Sequence, residues 1–432
     1  MRLIISVREH EPIYIGESFS SEKKIITRSQ AALLERLEKE QGKAIFNWGN
    51  KKIIPLQWVG VANIGNLQIE ILPKLYNDGN SQIRKNLLYM IAVAKIVPFR
   101  VQEISNFDTQ KHTFLECFIR VFIDRLGYAY KTGIIHQYND TEENASFLRG
   151  KLKMKQQLRK NIFNKSRFFV QHDEYSMHNL INRIIKATVE KLITISKLQT
   201  NIKDLQFFRD LLSEVDAKGF VPKEFDKLLI PRTVHQSYYD ILEMCKVIWR
   251  EESPNLSSGK LQGFSLLFDM NVIYERFIQE LISDRKFDIL PPDTITISNR
   301  RGNSKFLFKN EYGNGIFRLL PDNVIYDEKR HGCLKIIDTK WKLLKPSERN
   351  FGISQSDIYQ MYAYAREYSC KKVILLYPTD KEDFNVRDFP KFNNVTFPTQ
   401  DITIYISTIN LNCKLPEEIH IIKQQLKDIC AQ

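Results

Sequence analysis

The chain is 432 residues long, 43% hydrophobic, 11% aromatic and 27% charged, which predicts two or three packed domains and excludes wholesale disorder. Its 64 Lys and Arg against 51 Asp and Glu give a net charge of +13, an excess that suits a polyanionic partner such as nucleic acid. No apolar run approaches the roughly 18 residues of a membrane span. The opening "MRLIISVREHEPIYIG" meets charge at Arg2, Arg8 and Glu9 where a signal peptide would be apolar. The cysteines (Cys117, Cys245, Cys333, Cys370, Cys413, Cys430) are scattered, with neither a zinc spacing nor a compact disulfide framework. The expectation is a cytoplasmic protein with reduced thiols and no membrane association.

The first hundred residues read as β-rich. "RLIISV" and "KAIFNW" are expected strands, with the helical "SQAALLERLEKEQ" between them. In "LQWVGVANIGNLQIEILPKL" (56–75) two β-branched runs flank "NIGN", a hairpin signal. "IRKNLLYMIAVAKI" has helical periodicity. From about residue 109 the chain turns mostly helical: Thr109 is a plausible N-cap for "TQKHTFLECFIRVFIDRLGYAY", and "MHNLINRIIKATVEKLITIS" is a second strong helix. Between them "NASFLRGKLKMKQQLRKN" looks more β-like. The basic stretch 147–168 suits either DNA phosphates or a solvated face.

"REESPNLSSGKLQG" (250–263) reads as a linker. After it come an expected helix "FSLLFDMNVIYERFIQELIS", strands "SKFLFK", "GIFRLL", "DNVIYD" and "LKIIDTKWK", a helix "SQSDIYQMYAYAREY", and strands "KKVILLY" and "DITIYIS". That order predicts an α/β domain, a mixed sheet flanked by helices, within a chain that is α+β overall. The expected domains are 1–105, β-rich; 106–255, mainly helical; and 256–432, the α/β domain.

Candidate chemistry concentrates in "LLPDNVIYDEKRHGCLKIIDTKWK" (319–342). Asp322 follows Pro321 at the head of one strand, a place where a missing N–H is tolerated. Asp338 and Lys340 are two apart on the next strand and share a face, with Thr339 on the other. If the strands are neighbours, two carboxylates and an amine converge at one sheet edge. Phosphodiester hydrolysis uses that set: hard oxygens hold Mg2+, and a lysine orients or deprotonates water and offsets charge. A structural ion pair would use the same residues. Glu275 lies on a helix before this pair, and Gln360 and Tyr364 share a helix face after it, either as site residues or as packing polar tips. His331, in the expected turn "EKRHGC", is read as exposed.

The order helix-Glu, strand-Asp, strand-Asp-x-Lys, helix-Gln-x-x-x-Tyr resembles the PD-(D/E)xK nuclease superfamily. "VGVANIGNLQIEILPKL", "FLRGKL", "NRIIK" and "LLFDMNVIYERFI" make the chain similar to the McrC family, nuclease subunits of McrBC-type systems that cut modified DNA. The resemblance runs from about 56 to 380. It implies a restriction-endonuclease-like domain whose metal ligands are Asp322 and Asp338, with the Thr339 carbonyl a third. Lys340 would be the catalytic lysine, Glu275 an accessory acid and Gln360 an orienting or DNA-contacting residue. Where related sites often carry an arginine before Pro-Asp, this chain has Leu320, with Arg318 two back. The implied cofactor is Mg2+, and the implied partners are DNA and a McrB-like AAA+ GTPase hexamer, with region 56–75 the suspected contact. No G-x-x-x-x-G-K-[ST] occurs, so GTP is expected on the partner. Two rivals stand beside this reading: a regulatory DNA-binding subunit with an inactive nuclease fold, and a stand-alone repair nuclease.

Overall fold

The computed structural model describes residues 3–75, 79–98, 112–250, 263–298, 305–327, 332–345, 347–380, 394–397 and 400–431. Thr109, most of the expected linker (251–262) and His331 with the tip of its turn lie outside the described residues. The chain forms two compact units: residues 1–114 with 253–432, and residues 115–252.

The first unit begins with β1 (Leu3–Arg8), β2 (Ile13–Gly16), β3 (Ile25–Thr27), α1 (Arg28–Gln41), β4 (Phe46–Trp48), β5 (Lys52–Pro55), β6 (Trp58–Ile64), β7 (Leu67–Leu72) and α2 (Asn80–Val93). α1 starts on a capping box: Thr27 Oγ1 accepts from Gln30 N, and Gln30 Oε1 accepts from Thr27 N. Thr27→Ala is expected to cost about 1 kcal/mol, measured by denaturant unfolding. Leu34 and Leu37 on its inner face join Ile5, Val7, Ile13, Ile53, Ile69 and Ile71 in one apolar core. β6 and β7 form the expected hairpin, with Ile64 opposite Leu67 and Gly65 in the left-handed region.

The segment "FSLLFDMNVIYERF" departs from expectation. Only its second half is helical. Gly263–Asp269 is a strand, β11, which pairs antiparallel with β6. A short, continuously apolar run has no period to separate strand from helix. The resulting sheet runs β1-β7-β6-β11, so the chain returns after the middle unit to complete an N-terminal sheet. Gly60 makes the pairing possible: a methyl group there would lie 2.1 Å from the Leu266 carbonyl oxygen.

Asp269 then caps α8 (Met270–Ser283) by accepting from Asn271 N. β12 (Thr294–Ser298), β13 (Lys305–Lys309), β14 (Gly315–Leu319), β15 (Asn323–Asp327), β16 (Cys333–Thr339), α9 (Gln355–Glu367), β17 (Lys372–Thr379), β18 (Asn394–Phe397), β19 (Gln400–Asn410) and α10 (Ile419–Ala431) complete the unit. Six of these strands form a mixed sheet in the order β12-β15-β16-β17-β19-β18. β15 and β16 pair antiparallel, while β16, β17 and β19 are parallel, as the α/β reading expects. β13 and β14 form a separate two-stranded ribbon. Val324, Ile336, Val373, Leu375 and Ile404 pack against Met361, Tyr364 and Ala365 of α9.

The second unit holds most of α3 (Phe114–Lys131), then β8 (Gln137–Ala145), β9 (Lys151–Leu152), α4 (Met154–Asn161), β10 (Phe168–Ser176), α5 (Leu180–Ile195), α6 (Gln199–Leu211) and α7 (Gln236–Arg250). Its sheet runs β8-β10-β9. The expected β-like "KMKQQLRKN" is instead helix α4, because its polar residues carry good helix propensity and no β-branched run opposes it.

Candidate active site

Asp322 stands immediately before β15, and Asp338 lies on its neighbour β16. The β15–β16 register sets Asn323 opposite Ile337; continued by one residue, it sets Asp322 opposite Asp338. Both strands are interior to the sheet, so the pair sits at the strand ends and not on an edge strand.

Asp322 lies one residue before β15, where the chain is free to lean toward β16. Its Oδ2 accepts from Thr339 N at 2.7 Å and from Thr339 Oγ1 at 2.6 Å. Strand alternation assigns Thr339 to the opposite face. At the strand end its short hydroxyl instead reaches Asp322. Lys340 Nζ lies 2.6 Å from Asp338 Oδ2 and donates to Gln360 Oε1 at 3.2 Å. Gln360 Nε2 donates to the Tyr364 hydroxyl at 2.7 Å, a pair one turn apart on α9. Asp322, Asp338, Thr339, Lys340, Gln360 and Tyr364 are thus linked at one end of the sheet.

The electrostatics are those of two carboxylates forced together out of water. Burial, then the Asp338 charge, push the Asp322 carboxyl up to about 7 against hydrogen bonds from Thr339. Burial likewise raises Asp338, with Lys340 opposing and Glu275 and Asp357 adding repulsion. Burial pulls Lys340 down, but the Asp338, Asp322 and Asp357 charges outweigh it and the ammonium is held above its ordinary range. Glu275 on α8 therefore belongs to the same field as the aspartates.

Asp357 is a further charged group at the site that the motif order does not mark. It sits in the first turn of α9, and with Gln360 and Tyr364 it makes an i, i+3, i+7 stripe on that helix. That spacing was the available signal. Two buried tyrosines also border the carboxylates. Tyr274 feels the Asp322 charge and Tyr377 feels Asp357 and Asp338; burial first, then these charges, raise both phenols. Among the described residues neither hydroxyl has a hydrogen-bond partner.

This donor set fits a small hard cation. Two desolvated carboxylates repel each other, and orphaned hydroxyls border them. Mg2+ characteristically takes one or two carboxylates and keeps several waters. Among the described residues no group of three or more His, Cys, Asp or Glu is arranged to hold a metal. No helix among them is long and apolar enough to cross a membrane.

The "IEILPK" block has a structural face. Ile69, Glu70, Ile71 and Leu72 are all buried. Arg84 grips Glu70 through two bonds, Nε to Oε1 at 2.8 Å and Nη2 to Oε2 at 2.7 Å, while Ser6 Oγ and Phe114 N also donate to it. Within 56–75 the surface a partner would reach is limited chiefly to Leu56–Trp58 and the Gly65–Asn66 turn. The basic stretch 147–168 keeps its lysines and arginines largely solvent-facing on β9, α4 and the adjoining loops.

A family model described as "McrBC 5-methylcytosine restriction system component" matches residues 54–378. The type IV methyl-directed restriction enzyme EcoKMcrBC of Escherichia coli (strain K12) is 21% identical over 266 residues, 53% of this chain and 75% of that protein. Among solved structures, a chain from the half-complex of the tetradecameric assembly of Thermococcus gammatolerans McrB AAA+ hexamers with bound McrC superposes with a TM-score of 0.75. It is 18% identical, covering 99% of this chain and 100% of that one. The cryo-EM structure of the Thermococcus gammatolerans McrBC complex gives a TM-score of 0.53 at 21% identity, over 65% of this chain and 87% of that one.

Proposed function

The chain belongs to the McrBC 5-methylcytosine restriction system component family, and from that premise we propose that it is the Mg2+-dependent DNA endonuclease subunit of such a system. The observation that carries the proposal is the half-buried Asp322 beside the buried Asp338 at adjoining strand ends, with Lys340 on Asp338. A purely structural ion pair needs one carboxylate per lysine. Here a second, half-buried carboxylate, Asp322, stands beside the first and is pushed up to about 7.

Asp322, Asp338 and the Thr339 carbonyl would hold the ion. In extended backbone a residue's carbonyl leaves on the same side as its N–H, and the Thr339 N–H faces Asp322. Bound there, Mg2+ would polarise the scissile phosphate and acidify a coordinated water. Thr339 fixes the Asp322 carboxylate by two hydrogen bonds. Lys340, held as an ammonium, serves as a fixed positive charge beside the pentacovalent phosphate in preference to a base. Gln360 orients Lys340, and Tyr364 orients Gln360. Glu275 and Asp357 add negative charge around Asp338.

The same proposal assigns DNA as substrate and a McrB-like AAA+ GTPase as partner, the GTP being bound by that partner. Its support is family membership, the fold shared with a chain of McrB–McrC assemblies, and a +13 charge. Co-purification with an AAA+ protein encoded next to this gene, followed by cleavage assays with and without GTP, Mg2+ and cytosine methylation, tests it. Cutting only when all three are present is expected; GTP-independent cutting without the partner would point to a stand-alone nuclease.

A metal-removal prediction follows from Asp322. Its folded value, about 7, exceeds the ordinary 3.8. Between about pH 4 and 7 the folded chain holds a proton that the unfolded chain lacks, so metal-free stability falls as pH rises through that window. Mg2+ relieves the repulsion only when both carboxylates are ionised. Thermal melts with Mg2+ against EDTA should separate at pH 8 and converge by pH 5.

A further inference from the structure

Lys340 is held on its N-terminal side by the sheet: its N–H donates to Leu376 O at 3.0 Å. On its C-terminal side the strand has ended at Thr339, and Trp341 lies beyond it. Two residues from the chain's beginning hold it. Lys74 Nζ donates to the Trp341 carbonyl at 3.0 Å and stands 5.4 Å from the indole centroid. Glu9 accepts from Trp341 Nε1 with both carboxylate oxygens, at 3.1 and 3.2 Å, and from Lys74 N at 3.0 Å. Tyr274, one residue before Glu275, packs against the ring at 5.4 Å between centroids. Both the main chain and the side chain of Trp341 are thus gripped, and Lys342 N donates back to Lys340 O at 2.8 Å to complete the turn.

We propose that Glu9 and Lys74 are positioning residues for the nuclease centre, acting through Trp341 to fix the turn that aims the Lys340 ammonium at Asp338 and the scissile phosphate. The inference rests on the nuclease reading above. Packing alone does not account for the arrangement, because a phenylalanine in an apolar pocket would seat the turn without a buried charge. Glu9 is 3% exposed, and burial pushes its carboxyl up to about 7 despite Lys74 and Trp341. Burial also lowers Lys74, and Lys342 adds to that against Glu9. The charged groups facing this pair are Asp269 at the cap of α8, Lys342, and His10, which itself faces Lys345. A desolvated carboxylate and amine are costly, and what they yield here is directional hydrogen bonds to one residue, the neighbour of Lys340. The last residue of the "IEILPK" block thereby acquires a role: it joins the N-terminal sheet to the site.

The test uses the full chain with its AAA+ partner, GTP, Mg2+ and methylated plasmid, comparing wild type with Lys74→Met, Lys74→Arg and Glu9→Gln. Lys74→Met should lower the cleavage rate at saturating DNA by about ten- to a hundred-fold, as loss of a supporting shell does elsewhere. Half-saturation by DNA should not change, and Lys74→Arg should recover most of the rate. Amide hydrogen exchange should quicken at 340–342 in Lys74→Met with the rest of the sheet unchanged. A wild-type rate, or a loss confined to half-saturation, would overturn the proposal, the latter making Lys74 a DNA contact. If Lys74→Met fails to fold, Trp341→Phe keeps the ring and loses the N–H; an unchanged rate there also overturns it. Should wild type itself not cut, the nuclease reading fails, while unchanged exchange at 340–342 in Lys74→Met would separately refute the grip.

Discussion

Lys340→Met should lower single-turnover DNA cleavage by about a hundred- to ten-thousand-fold, the range typical of removing a positioned acid–base or charge-stabilising group. The fold and partner binding should survive. Lys340 is a quarter exposed and lies at a strand end, so methionine fills its stem without disturbing the core. Its charge is what the site loses: the Asp338 carboxylate, 2.6 Å away, is left without its cation, and the leaving oxyanion without its fixed counter-charge. Far-ultraviolet circular dichroism and pull-down by the AAA+ partner, run beside the cleavage assay, separate this from unfolding. Lys340→Arg should recover only part of the rate, because a planar guanidinium cannot take both Asp338 and Gln360 in the same geometry.

The second large effect is on stability. Arg84→Met should cost about 3–5 kcal/mol, the penalty seen when one member of a buried ion pair is removed. Glu70 is 0% exposed, and its two oxygens also receive Ser6 Oγ and Phe114 N. Without Arg84 the carboxylate stays buried with neutral donors only. Equilibrium urea unfolding should show the loss, and the double variant Glu70→Leu with Arg84→Met should be more stable than Arg84→Met alone. A single variant as stable as wild type would show that the pair is dispensable.

The residues that converge here lie in local patterns, but spacing alone suits a structural ion pair equally well; their reading as a site comes from the motif order and the family resemblance. Pro321-Asp322 at a strand head, Asp338 and Lys340 two apart, and Gln360 with Tyr364 on one helix face are local patterns, and local patterns survive in sequence. What stayed hidden was non-local. In sequence β11 reads as the start of a helix, since "FSLLF" is apolar throughout and its partner β6 lies some two hundred residues earlier. The Thr339 hydroxyl contact with Asp322 depends on the chain leaving regular strand geometry before β15. The grip of Lys74 and Glu9 on Trp341 spans 267 and 332 residues, beyond any periodic signal. Asp357 is the exception: it is local, at i−3 from Gln360 on α9, but the motif order that marks Gln360 and Tyr364 does not include it.

The most direct measurement is Mg2+-dependent cleavage of methylated supercoiled plasmid by the reconstituted complex, comparing wild type with Asp338→Asn at matched partner and GTP concentrations. Wild type should cut with Mg2+ and not with EDTA, while Asp338→Asn binds its partner and leaves the plasmid intact. Cleavage at the wild-type rate by Asp338→Asn would contradict the assignment of the nuclease centre to Asp322, Asp338 and Lys340.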